Sequence, residues 1–141
     1  MNKPATGGRT FIGRFQCGDD LLGSLTELCK KENIRAGVFS LIGAVQNAKL
    51  GYYDQAEKKY TGCVELNEKL EVVSCTGNIS LKDGEIFVHA HIGLADNQGK
   101  AYGGHLMPGT IIFAAEYYIQ ELTGVTLERV KDMVTGLPLW K

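Results

Sequence analysis

Leu21, Leu22, Leu25 and Leu28 recur at the three-and-four spacing of one helix face. Asp19 or Asp20 stands where a helix cap belongs, and Lys30 and Lys31 fall in the last turn, where cations suit the helix dipole. The pattern predicts a helix over about residues 20–33. Elsewhere the pattern is that of strands. Thr10 to Phe15 reads as the first, entered through a turn at Gly7-Gly8. From Ala36 onward Val38, Phe39, Leu41 and Ile42 are too evenly apolar for a surface element, which predicts a strand covered on both faces, with Gly43 marking a bulge. Ala48–Tyr53 and Tyr60–Leu66 follow as two further strands around a polar loop. Tyr102–Leu106 lies between turn sequences, and Thr110–Ile119 is the longest apolar strand, broken only by Glu116. Leu127–Met133 and Leu137–Trp140 read as closing strands. Many strands with one strong helix predict an α+β fold, a single domain over residues 1–141 with its core in about 8–133, built on a mostly antiparallel or mixed sheet.

The sharpest local signal is Lys82-Asp83-Gly84-Glu85. Asp-Gly between two apolar runs marks a two-residue type I′ hairpin. The register then follows: Lys82 faces Glu85, Ile79 faces Val88, Asn78 faces His89, Thr76 faces His91 and Cys75 faces Ile92. One face carries Cys75, Gly77, Ile79, Val88, Ala90, Ile92 and Leu94, a core. The other carries Thr76, Asn78, Ser80, Phe87, His89 and His91, a polar cluster around two histidines. A bulge within this stretch would shift the histidines relative to their partners.

Composition narrows the classes. With 141 residues, 44% hydrophobic and 22% charged, the chain is long enough for a real core and too apolar to be disordered. Fifteen basic against sixteen acidic residues give a net charge of −1, which weighs against binding carried by nucleic-acid phosphates. The longest wholly apolar run, Ile111–Ala115, is far short of the ~20 residues of a membrane helix. Met1–Gly8 is polar and small, unlike a secretion signal. A cytoplasmic protein with no membrane partner is expected, and with it four reduced, buried cysteines, Cys17, Cys29, Cys63 and Cys75.

All three histidines of the chain fall between His89 and His105. His89 and His91, two apart on a strand, share a face. His105 follows Gly103-Gly104, which leaves the backbone room to approach. Three imidazoles can hold Zn²⁺ and leave one position open; they can equally hydrogen-bond to Asn78, Thr76 or backbone and hold nothing. Asn78 and Thr76 stand where they would orient the imidazoles around an ion. Glu116 reads first as a solvent-facing or Arg14-paired residue, and second as a carboxylate supporting a histidine or acting as a general base. No phosphate-binding glycine loop and no nucleophile elbow occurs.

His89-Ala-His91, Leu94-Ala-Asp96, Gly99, Gly103-Gly104-His105-Leu106, Gly109 and Glu116 together resemble the signature of the PPC (plants-and-prokaryotes-conserved) domain, described also as PD1-like DNA-binding proteins. Gly13-Arg14-Phe15 before the helix and Leu41-Ile42-Gly43-Ala44-Val45 fit the same domain, over about Gly8 to Met133. The resemblance implies an α+β domain that forms a homotrimer, with His89, His91 and His105 holding a divalent metal, zinc by preference. Plant members join the domain to an AT-hook, a short basic core that enters the minor groove; no such core occurs here, and Gly7-Gly8-Arg9-Thr10 is not one. Three functions therefore stay open: a metal-binding trimeric module acting on DNA or DNA-binding proteins through protein contacts, a small zinc-dependent enzyme, and a purely structural oligomer. Tight sequence-specific DNA binding by the chain alone is not expected.

Overall fold

A computed structural model describes residues 1–141. Its elements run β1 (Thr6–Phe15), α1 (Leu21–Lys31), β2 (Gly37–Asp54), β3 (Lys59–Leu66), β4 (Leu70–Lys82), β5 (Glu85–Ala95), β6 (Ala101–Leu106), β7 (Ile111–Thr123), β8 (Glu128–Lys131) and β9 (Pro138–Trp140). The α+β class holds. All strands join one sheet, and its pairs are antiparallel except β4 with β8. β2 is the spine. One flank pairs with β7 and then β6, the other with β4 and then β3. β5 lies between β4 and β6, so β2, β4, β5 and β6 pair in a closed circuit.

The helix forms as its spacing predicts. Asp20 caps it, accepting from the Gly23 N–H at 2.7 Å. Its other carboxylate oxygen accepts from the Gly109 N–H at 2.6 Å, which ties the helix start to the β6–β7 turn. Leu21, Leu25 and Cys29 point inward and are wholly buried. Asp20→Ala is expected to cost about 1–2 kcal/mol, the worth of a good cap, read as a lower urea midpoint at unchanged slope.

The sheet has two unlike faces. The row Phe11, Ile119, Phe39, Gly77 and Ala90 crosses five strands on the helix side and joins the core. The opposite row is Ile12, Tyr118, Ser40, Thr76, His91 and His105. Its first five members are exposed. The hairpin register is as the Asp83-Gly84 turn dictates, from Lys82↔Glu85 through Cys75↔Ile92. Positive φ at both turn residues, 55° and 80°, is the type I′ signature. The bulge lies at Val72/Ser74, beyond the histidines, and leaves their partners in place.

Four expectations are corrected. The strand through Val38, Phe39, Leu41 and Ile42 is covered on one face only, since Phe39 and Leu41 are buried while Val38 and Ile42 stay exposed. Gly7 and Gly8 lie inside β1, with a bulge between Gly7 and Thr10, rather than forming a turn ahead of it. Gly37–Asp54 is one strand, not two, because bulges at Gly43 and around Val45 absorb the polar interruption. Gln46 donates to the Ile112 carbonyl at 3.0 Å and Asn47 to the Gly109 carbonyl at 2.7 Å, so both polar side chains bond to β7 and the turn before it instead of ending the strand. All four cysteines are free, but only Cys29 and Cys75 are buried; Cys17 and Cys63 are exposed, on segments that no layer covers.

Candidate metal centre

Strand pairing alone brings the three histidines together. His91 and His105 are direct cross-strand partners, and His89 stands two residues before His91 on the same face. On its other side His105 pairs with Gly51 of β2. The approach is close: a Cβ on Gly104 would sit 3.2 Å from the Gly51 carbonyl oxygen and 3.3 Å from Leu50, and glycine alone avoids this.

The imidazole centroids lie 5.1 Å apart for His89–His91, 5.0 Å for His89–His105 and 5.6 Å for His91–His105. One ring nitrogen from each lies within 4.8 Å of the others. Ligands about 2.0–2.1 Å from a tetrahedral zinc are about 3.4 Å apart, so small ring movements close the set. None of the three rings hydrogen-bonds to a protein group, and the buried Nδ1 of His105 has no partner. Buried nitrogens are normally satisfied. Neutral imidazoles with an unclaimed nitrogen are the donor set a divalent transition metal takes.

Electrostatics favours the neutral form of two of the rings, His89 and His105. Burial first, then His105, Arg129 and His91, push the His89 imidazole down to about 4. Burial and His91 lower His105 as well. An unfolded histidine titrates near 6.5, so between about pH 6.5 and 4 the unfolded chain binds more protons and acidification destabilises the fold. For the metal-free protein the melting temperature is expected to fall as pH drops through this window and to stay flat from pH 7 to 8. In His89→Gln that slope should be shallower. An unchanged slope would locate the acid sensitivity elsewhere.

The supporting residues read from the sequence fare differently. Asn78 and Thr76 do face His89 and His91, but neither hydrogen-bonds to an imidazole. The Asn78 Oδ1 instead accepts from Arg129 Nη2 at 2.6 Å. Glu116 is exposed on β7, opposite Arg14 and Ile42, and is not part of the histidine cluster. Two neighbours had no sequence signal. Tyr60 of β3 packs its ring 5.0 Å from His105. Arg129 reaches the site because β8 pairs parallel to β4, a long-range pairing that local pattern does not show.

With this geometry in hand, comparison with known proteins is decisive at the level of family. Residues 2–123 match the model of the Plants and Prokaryotes Conserved (PCC) domain. The chain belongs to this family. The PCC fold is shared with a metal-containing protein of Archaeoglobus fulgidus, 40% identical, with a TM-score of 0.94 over 100% of this chain and 99% of that one. It is shared also with a "Putative DNA-binding protein" of Ralstonia eutropha JMP134, 25% identical, TM-score 0.80, over 92% and 89% of the two chains. Among curated proteins, the bifunctional protein GlmU of Synechococcus sp. (strain JA-3-3Ab) is 33% identical over 130 residues. That match takes in 91% of this PCC chain but only 20% of the GlmU protein, so the chain spans about a fifth of the length of that relative.

Proposed function

We propose that this chain holds one divalent metal ion, zinc by its donor set, at His89, His91 and His105, and acts as a homotrimeric module associated with DNA through protein contacts. The observation that carries the metal reading is the cluster of three ring nitrogens within 4.8 Å, on directly paired strands, with a buried nitrogen left unpartnered. Bound there, zinc would supply Lewis acidity and, at an open position, an acidified water. The chain's own part is to present neutral imidazoles from rigid strands. That His91 faces solvent favours, as a second reading, a small zinc-dependent enzyme. The purely structural reading is weakened because the rings knit no hydrogen bonds across the sheet.

Association through protein contacts fits the surface. Acidic residues outnumber basic ones sixteen to fifteen, and four of the basic side chains are ion-paired, Arg9 to Glu121 and Glu32, Lys30 to Glu27, Lys49 to Glu65 and Lys59 to Glu57. The Archaeoglobus and Ralstonia relatives support the metal and the DNA sides of the reading respectively. No helix is long and apolar enough to cross a membrane; a cytoplasmic setting is proposed from the sequence.

The trimer rests on the outward sheet face. Ile12, Ile42, Val38 and Tyr118 are 84%, 58%, 46% and 44% exposed on neighbouring strands, an apolar patch that a lone domain rarely leaves bare. Light scattering at micromolar concentration is expected to give three times the 15.4 kDa chain mass. Ile12→Lys with Ile42→Lys should shift it toward monomer. A wild-type monomer would contradict the assembly, and calorimetric titration of the same sample with Zn²⁺ tests the metal independently.

A further inference from the structure

Beside the histidines lies a cation that the protein itself leaves uncompensated. Arg129 is only 7% exposed, yet none of the chain's ion pairs includes it. A buried charge without a partner is costly. Its guanidinium carbon lies 5.2 Å from the centroid of the Phe87 ring and 5.5 Å from that of the Trp140 ring. Nε donates to Ser80 Oγ at 2.8 Å, Nη1 to the Pro138 carbonyl at 2.8 Å and Nη2 to Asn78 Oδ1 at 2.6 Å. Three of five N–H groups are thus used, and each terminal nitrogen keeps one free. Free N–H groups on the guanidinium fork are what arginine offers an oxyanion.

Its place in the fold sets what the fork serves. Asn78, which Arg129 holds, is the direct cross-strand partner of His89. Such partners have Cβ atoms about 4.5–5.5 Å apart, so the guanidinium sits over the face that bears the histidines. No carboxylate joins the three histidines in their cluster, and none is ion-paired with Arg129. Three neutral imidazoles leave a dication its full charge, and Arg129 adds another.

We infer that this face binds a small oxyanion, a carboxylate or phosphate group, between the ion held by the three histidines and Arg129, which acts as its positioning residue. The inference rests on the metal reading above and adds the chemical class of the ligand. Pinning of the β8–β9 arm explains the three hydrogen bonds of Arg129; it does not explain a buried charge kept free of acids beside a cationic site.

The test uses the full chain loaded with Co²⁺, whose visible bands report its ligands, titrated with inorganic phosphate and separately with acetate. Saturable band shifts in the wild type at millimolar anion or below are expected, and the tighter of the two separates phosphate from carboxylate. Arg129→Gln should bind Co²⁺ within about threefold of wild type but the anion at least about tenfold more weakly, the size of one lost charge-assisted contact. Should Arg129→Gln fail to fold, Arg129→Lys, which keeps the charge but not the fork, is expected to weaken the anion at least about fivefold. Bands unmoved by about 50 mM of either anion overturn the inference and leave the metal reading standing. So does an Arg129 variant that binds the anion as wild type does, or one that loses Co²⁺ and anion in equal measure, which would make Arg129 merely structural. Failure of the wild type to take up Co²⁺ overturns the metal reading, and the inference falls with it.

Discussion

Replacing His105 with alanine is expected to weaken Zn²⁺ binding by more than about 100-fold. Loss of a group that merely orients a ligand typically costs 10–100-fold, and the proposal makes His105 a ligand itself. It carries the buried nitrogen without a partner, and its β6 position is fixed on both sides, against His91 and against Gly51. His89→Ala and His91→Ala should lose comparably. Glu116→Ala, altering an exposed residue opposite Arg14 on another strand, should change affinity less than about twofold. Competition with a metal-binding dye measures all four. Equal affinity in His105→Ala and wild type would remove His105 from the site.

Gly77→Ala is expected to produce the largest loss of stability among single-methyl changes near the site. A Cβ at Gly77 would lie 2.1 Å from the His89 carbonyl oxygen and 2.6 Å from the Phe39 ring. One obstacle is backbone and the other a buried ring, so β4 and β5 must move apart at His89 itself. Overpacking of this kind costs about 3 kcal/mol at the upper end of its usual range, and the displaced strand should also lower metal affinity. Gly93→Ala is the control. The nearest atom to its Cβ, the Ser74 carbonyl oxygen, is 3.7 Å away, an ordinary contact. Urea unfolding should separate the two variants clearly; equal midpoints would mean that the ladder at His89 is not rigid.

How much of this was legible beforehand follows from the range of each signal. The Asp83-Gly84 turn fixes a register, and period two then assigns every side chain from Lys82 to Cys75 and from Glu85 to Ile92 to a face. The pairing of His89 with Asn78 and of His91 with Thr76 was therefore readable from a two-residue turn. The helix was readable because its apolar spacing and its Asp20 cap agree. What failed to show depends on distant pairings. Gly37–Asp54 is continuous because Gln46 and Asn47 bond to the β7 side, which no local pattern reveals. Arg129 reaches Asn78, and Tyr60 packs beside His105, only because strands far apart in sequence lie over the same face. The exposure of Cys17 and Cys63 likewise depends on which segments the layers leave uncovered.

The account stands or falls on the three imidazoles sharing an ion. The most direct measurement is elemental metal analysis of the full chain purified without an affinity tag, with His89→Ala beside it. The account predicts about one divalent ion per wild-type chain, zinc foremost, restored by Zn²⁺ after chelation, and little in His89→Ala. A folded wild-type protein that carries no stoichiometric metal and takes up none on titration, or a His89→Ala variant that retains as much, would contradict it.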